Sequence, residues 1–264
     1  MNTNTNPVEQ FKQERRARVQ AYGADTAFQA LSRDWLRESM QRQYVYNFDW
    51  MGRPIIQYPQ DMVAMQELVW RVRPDLIIET GIAHGGSLVL SASLLALLDV
   101  SDAIEAGTTL DPRVSQRKVL GLDIDIRAHN RAAIEAHPMA SRIAMIEGSS
   151  TAPEVIAQVH AFAKGYQRVM VCLDSMHTHA HVLAELQAYA PLVTPGSYCV
   201  VFDTFVEDMP PKFFADRPWD VGNSPKTAVR QWLKESGDAF EVDAELEQCL
   251  QVTVAPSGFL RRRA

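Results

Sequence analysis

Between positions 76 and 203 the apolar residues gather into five short runs, at 76–78, 119–122, 143–146, 169–173 and 197–202, and each is followed by a small or acidic residue. The runs are continuous rather than alternating and contain β-branched residues, which is the pattern of strands buried on both faces of a parallel sheet. Helical spacing follows at 86–98, at 127–136, from about 153, and at 178–189; only the fifth run leads straight into a loop. This alternation predicts an α/β fold, a doubly wound Rossmann-like sheet that is mostly parallel. Beyond position 203 come a loop rich in proline and aromatics (204–224), a helix from Pro225 through 233, and apolar runs at 240–242 and 250–255. The last two are predicted to form an antiparallel pair completing the sheet. Upstream, residues 7–22 and 26–42 have helical spacing, the second with Phe28, Leu31, Trp35, Leu36 and Met40. An aromatic, irregular stretch at 44–58 is punctuated by Gly52 and Pro54, and Asp61 is predicted to cap a helix over 62–71. The acidic, glycine-containing stretch 99–117 is predicted to be a loop insertion. The chain thus divides into an N-terminal helical extension, residues 1–45, and one domain, residues 46–264.

Composition adds boundaries. With 264 residues, 47% hydrophobic and 22% charged, the chain can bury a large core. A net charge of -6 argues against a general nucleic-acid binder, and Arg261, Arg262 and Arg263 are read as a solvated chain end. Cys172, Cys199 and Cys249 are widely spaced and are read as reduced thiols, which fits a cytoplasmic protein. The polar first seven residues lead into a charged helix, so no signal peptide is expected. The longest apolar stretch, 87–98, falls short of the ~20 residues a membrane span needs, so no span is expected either.

Chemistry gathers at the strand ends, which deliver Glu79, Asp123, Ser149, Asp174 and Asp203 to the edge where open parallel sheets bind ligands. The first turn, Glu79-Thr80-Gly81-Ile82-Ala83-His84-Gly85-Gly86-Ser87, combines tight-turning glycines with the start of a helix. Ala83 stands where a dinucleotide fingerprint needs its second glycine, so a pyrophosphate would lose its close contact. A methyl donor has no pyrophosphate: Glu79 can meet the amino group of a methionine moiety and Ser87 its carboxylate. Asp123 is placed to accept both ribose hydroxyls, with Asp125 a more distant alternative, and Gly148, Ser149 and Ser150 would border an adenine. His177 is suited to remove a proton from an acceptor hydroxyl at neutral pH. Asp174 and Asp203 can hold a hard divalent cation such as magnesium through oxygen. The run His177-Thr178-His179-Ala180-His181 lacks the glutamate of a metalloprotease helix, so His179 and His181 are read as ordinary helix residues. Tyr44 to Tyr58 and Phe205 to Trp219 can stack on a sugar face or pack on each other.

Several stretches in order resemble the cephalosporin hydroxylase/rhamnosyl O-methyltransferase family. They are 74–81, the turn Leu173-Asp174-Ser175-Met176-His177, 196–204, 222–229 and 256–262. The likeness runs from about Tyr44 to the C-terminus, and its Asp-x-x-His turn is similar to that of the macrolide-sugar O-methyltransferases. It implies a SAM-dependent methyltransferase fold, with S-adenosyl-L-methionine (SAM) bound by Glu79, Thr80, Gly81, Gly85, Ser87, Asp123 and Ser149. It further implies His177 as base, Asp174 as catalytic metal ligand beside Asp203, methylation of a sugar hydroxyl, and a homo-oligomer to which the N-terminal helices contribute. Where metal-binding members end the later strand in Glu-Asp, this sequence has Phe202-Asp203, so water or a side chain such as Glu207 or Asp208 would complete the shell. The family name also suggests a hydroxylase needing iron and oxoglutarate, but no His-x-Asp or His-x-Glu occurs. A third reading is a SAM-binding protein without catalysis.

Overall fold

In the computed structural model, which describes residues 6–264, nine strands and nine helices stand in this order. Helices α1 (Pro7–Ala24) and α2 (Thr26–Gln41) lead to a small hairpin of β1 (Phe48–Trp50) and β2 (Arg53–Ile55), then α3 (Pro59–Val72). The alternating core follows as β3 (Leu76–Thr80), α4 (Gly86–Ala106), β4 (Lys118–Asp123), α5 (Ala128–Glu135), β5 (Ile143–Glu147), α6 (Pro153–Ala163), β6 (Val169–Leu173), α7 (His179–Tyr189) and β7 (Tyr198–Val201). The chain closes with α8 (Pro225–Glu235), β8 (Phe240–Val242), α9 (Ala244–Leu250) and β9 (Phe259–Arg262).

Seven strands form one sheet in the order β5-β4-β3-β6-β7-β9-β8, with β9 antiparallel to both its neighbours and the other pairs parallel. Strand residues alternate between two cores. Ile77, Val119, Met170 and Val200 pack with α3 and α4 on one face. Ile78, Leu120, Val171 and Val201 pack with α6, α7 and α8 on the other. Both faces are covered, so the strands read as continuous apolar runs. The strand order reverses between β3 and β6, and the crevice beyond their carboxyl ends is the natural ligand site of such a sheet.

Three local expectations are corrected. The stretch 99–117 is half helix: α4 continues to Ala106 and is closed by Gly107 at φ +62. Asp99 and Asp102, which look like loop residues, instead pair with Arg117, and Asp99 also pairs with the buried Arg142. The run 250–255 is not a strand. Asp243 accepts from the Leu246 amide at 3.0 Å and starts α9, so the antiparallel strand forms further on, at Phe259–Arg262. Asp61 does not cap α3, which opens at Pro59. It is buried and accepts from the Thr253 hydroxyl at 2.5 Å and the Val254 amide at 3.0 Å, tying the loop before β9 to α3. That tie explains why Val254 and Ala255 are buried without pairing.

Helix α4, longer than the sequence pattern suggests, is apolar enough by length and composition to cross a membrane. It packs along the sheet instead, with Leu88, Leu95 and Leu98 in the core shared with α3. All three cysteines are free.

Burial pushes the Asp61 carboxyl up to about 7 from 3.8. A folded-state pKa raised above the unfolded value means that the group favours folding below about pH 4 and loses that contribution as pH rises toward 7. Asp61→Asn should therefore flatten part of the pH dependence. In urea melts from pH 4 to 8, the stability of wild type relative to the variant is expected to fall as pH rises; a constant difference would contradict the assignment.

Candidate active site

The loop after β3 is shaped by one backbone approach. Gly81 has φ +88, and a Cβ there would lie 2.0 Å from the Asp174 carbonyl oxygen. No other residue fits, so the loop after β3 and the loop after β6 lie in direct contact. The Asp174 amide donates to the Thr80 carbonyl at 3.0 Å and meets the Thr80 hydroxyl at 3.2 Å. Thr80, expected among the cofactor residues, is fully buried and serves as a strut between β3 and β6; it lines none of the cavities described below. Gly85, at φ +83, opens α4 and packs against Ile134, where a Cβ would not fit.

The loop is held from three sides. Asp123 accepts from the Ile82 amide at 2.8 Å and the Ala83 amide at 3.3 Å, and its other oxygen accepts from the Asp125 amide at 3.2 Å. Asn130, on α5, donates to the Ala83 carbonyl at 2.8 Å. Arg53, on β2, donates to Asn130 at 3.0 Å and to the His84 carbonyl at 3.0 Å. The hairpin thereby latches the glycine loop, and Ala83 is held in the left-handed region at φ 46. Neither Arg53 nor Asn130 carries a local sequence signal; both act across more than 30 positions.

Glu79 is buried, and burial pushes its carboxyl up to about 7 against the opposing effect of the Ser87 and Ser91 hydroxyls. The Ser91 hydroxyl donates to Oε2 at 3.3 Å, while Oε1 has no partner. A buried carboxylate oxygen without a donor is costly, and a ligand ammonium would satisfy it. Asp123 and Ser149 line a cavity of about 250 Å³ with Gly81, Ala83, Ser150, Ser175 and His181. His181 is more than an ordinary helix residue. Its Nε2 lies 3.0 Å from the Ser150 hydroxyl and 3.1 Å from that of Ser175, and both hydroxyls donate to the fully buried Glu185 at 2.5 and 2.6 Å. His179 is structural, with its ring bonded to Thr227 and Gln231 on α8.

Across Gly81 lies a second cavity of about 350 Å³, lined among others by Asp174, His177, Asp203, Phe214, Arg217 and Trp219. Asp174, His177 and Asp203 each present a ligand atom within 4.8 Å of the others. His177 Nε2 stands 2.9 Å from Asp203 Oδ2, and the His177 ring meets Trp219 edge-on at 4.7 Å. Asp203 is held in a left-handed turn at φ 54 just after β7. Burial, reinforced by the facing Asp203 and Glu79 carboxylates, holds the Asp174 carboxyl well above the usual range. Gln57, which sequence reasoning missed, donates to Asp174 Oδ2 at 3.3 Å; its only sequence signal is a lone polar residue between Ile56 and Tyr58.

Other expectations are settled by where side chains point. Tyr44, Phe48 and Tyr58 pack on one another and on Trp35 rather than on a ligand, whereas Tyr46 and Trp219 do line the second cavity. Glu207 accepts from the Ser224 hydroxyl and the Gly222 amide, and Asp208 pairs with Lys226. Both acids are thereby drawn away from the cluster. Phe202 is buried in the core.

The strand order, the helices on both faces and the crevice at the switch point define a Rossmann-like methyltransferase fold. Among solved structures, the CmcI protein described as bound to Mg and SAM superposes with a TM-score of 0.54 at 18% identity, over 83% of this chain and 78% of that one. Its form without ligand gives 0.53 at 17% identity, over 83% and 77%. Residues 42–263 match the rhamnosyl O-methyltransferase/CmcI family, and the chain belongs to it. A rhamnosyl O-methyltransferase of Mycobacterium leprae (strain TN) is 29% identical over 87% of this chain and 92% of its own length. A second, of Mycobacterium tuberculosis (strain ATCC 25618 / H37Rv), is 29% identical over 87% and 86%.

Removing the latch should loosen the loop without unfolding the domain. Asn130→Ala is expected to speed hydrogen exchange at the amides of residues 82–85 by about tenfold or more, equivalent to ~1.4 kcal/mol of local stability. Unchanged protection there would show that Asn130 does not hold the loop.

Proposed function

We propose that this protein is a SAM-dependent O-methyltransferase acting on a hydroxyl of a deoxysugar, either free as a nucleotide sugar or attached to a glycolipid, polysaccharide or natural product. The observation that carries the reading is the junction at Gly81. It sets a trough bearing Asp123 and Ser149 against a cavity bearing a histidine base and two carboxylates, while Glu79 lines a small void that shares Ser87 and Asp174 with that cavity. The orphaned, buried Glu79 Oε1 fits the ammonium of a methionine moiety, and Ser87 at the first turn of α4 fits its carboxylate. Asp123 and Ser149 would hold the ribose and border the adenine, with His181 beside them.

SAM supplies a methyl group on a positively charged sulfur, ready for attack by an oxygen nucleophile. The chain's task is to position and deprotonate that nucleophile. Asp203 accepts from His177 Nε2, which leaves Nδ1 as the basic nitrogen. When the hydroxyl oxygen takes the methyl group and the carbon–sulfur pair returns to a neutral thioether, His177 would accept the hydroxyl proton and Asp203 would stabilise the imidazolium. Asp174 and Asp203 bring ligand oxygens within 4.8 Å of each other, a donor set that fits magnesium or another hard divalent ion. Such an ion would hold the acceptor hydroxyl and lower its pKa. Trp219 and Tyr46 offer flat apolar surface for a sugar ring. The reading includes a cytoplasmic location and a helical extension at residues 1–45 that takes part in a homo-oligomer; exposed Phe11 and Leu31 on that extension support the contact.

Two measurements test this. Calorimetric titration should show SAM binding, and Glu79→Gln should weaken it about tenfold; no binding by the wild type would reject the reading. His177→Ala should lower methyl transfer to a rhamnose-bearing acceptor by about 10²–10⁴ while leaving SAM affinity within about threefold. Near-normal turnover would reject His177 as the base.

A further inference from the structure

The two carboxylates leave a cation underliganded, and the chain holds one more polar side chain beside Asp174. Gln57 sits in the turn between β2 and α3 and is only 5% exposed. Its Nε2 donates to Asp174 Oδ2 at 3.3 Å, while its Oε1 is buried without a partner. The side chain lines both the acceptor cavity and a small void shared with Glu79, Asp174 and Phe202. Its backbone is anchored next door: Tyr58 is fully buried and its hydroxyl lies 2.7 Å from that of Ser39.

A buried amide with an unsatisfied carbonyl is expensive, and neighbouring Met62, Met65 and Phe202 would readily accept an apolar residue instead. The amide's last torsion is soft, and a half-turn exchanges its oxygen and nitrogen at little steric cost. After that turn, Oε1 rather than Nε2 faces the Asp174 carboxylate. Glu207 and Asp208 are committed elsewhere and Phe202 offers no oxygen.

We propose that Gln57 is a neutral oxygen ligand of the divalent cation held by Asp174 and Asp203, its amide turning from donor to Asp174 into ligand when the cation enters. The inference rests on the reading of those two carboxylates as a cation site. With two carboxylates and an amide, the protein ligands balance a divalent charge without excess, so the site should bind the ion more weakly than a three-carboxylate site would and should respond sharply to one added charge.

The test is titration of the full-length protein with Mn²⁺, read by its electron paramagnetic resonance signal and by calorimetry, without SAM or acceptor. Gln57→Leu, which fits the apolar surroundings, should weaken Mn²⁺ binding by about tenfold or more, and Gln57→Glu should tighten it. SAM affinity and urea melts serve as controls for folding. Unchanged Mn²⁺ affinity in Gln57→Leu would overturn the proposal. So would weaker binding in Gln57→Glu, because a residue acting only as a hydrogen-bond donor to Asp174 is lost in both variants. If wild type binds no Mn²⁺, the cation reading itself fails, and a SAM titration in the same buffer shows whether the methyl-donor site stands without it.

Discussion

The site depends on the absence of one methyl group. Because Gly81 has no Cβ, the Asp174 carbonyl can lie where that carbon would be, and the β3 and β6 loops share a wall. The parallel register beneath them, Thr80 opposite Leu173, is fixed by the core on both faces and ends at the Asp174 amide bonded to Thr80. Most of what is proposed for binding the donor hangs from β3, β4 and β5, and the proposed base and cation-binding carboxylates hang from β6 and β7. On the proposed reading, the Gly81 contact sets the distance between the donor site and His177 before any ligand enters. A methyl transfer needs its nucleophile, carbon and leaving group in line, so a rigid junction of this kind contributes through positioning.

What could be read from the sequence follows from which interactions are local. Buried parallel strands need continuous apolar runs, and the acids that follow them are adjacent in sequence, so five strands and the whole set from Glu79 to Asp203 were legible. The glycine loop was legible because turns and helix starts have fixed residue demands. The failures come from distant partners. Asp99 reads as loop until Arg117 and Arg142, 18 and 43 positions away, are seen to neutralise it inside a continuing helix. Val254 and Ala255 read as strand because they end an apolar run, yet the tie that buries them is to Asp61, more than 190 positions upstream. Gln57, Arg53 and Asn130 reach the site only through tertiary contacts. Even so, the lone glutamine among Ile55, Ile56 and Tyr58 was a polar residue in an apolar setting that called for a reason.

The electrostatics of the crevice select the sign of what binds there. Glu79, Asp174 and Asp203 converge on one edge of the sheet, with Asp61 and Glu185 close enough for their charges to reach Asp174. Buried carboxyls lose hydration, which is why Glu79 and Asp61 are both pushed up to about 7, and for Asp61 repulsion from Asp203 adds to the effect. A cationic ligand reverses both penalties at once. A pyrophosphate would instead add negative charge to this set and, with Ala83 in place of a glycine, would find no close backbone approach. The N-terminus of α4 would favour the single carboxylate proposed for Ser87, but the acids near it oppose anything more negative. A donor that carries an ammonium, a sulfonium and one carboxylate matches this field in both sign and position, and a dinucleotide does not. On the proposed reading, the acidic floor of the crevice would account for selection of the donor independently of the chemistry that follows.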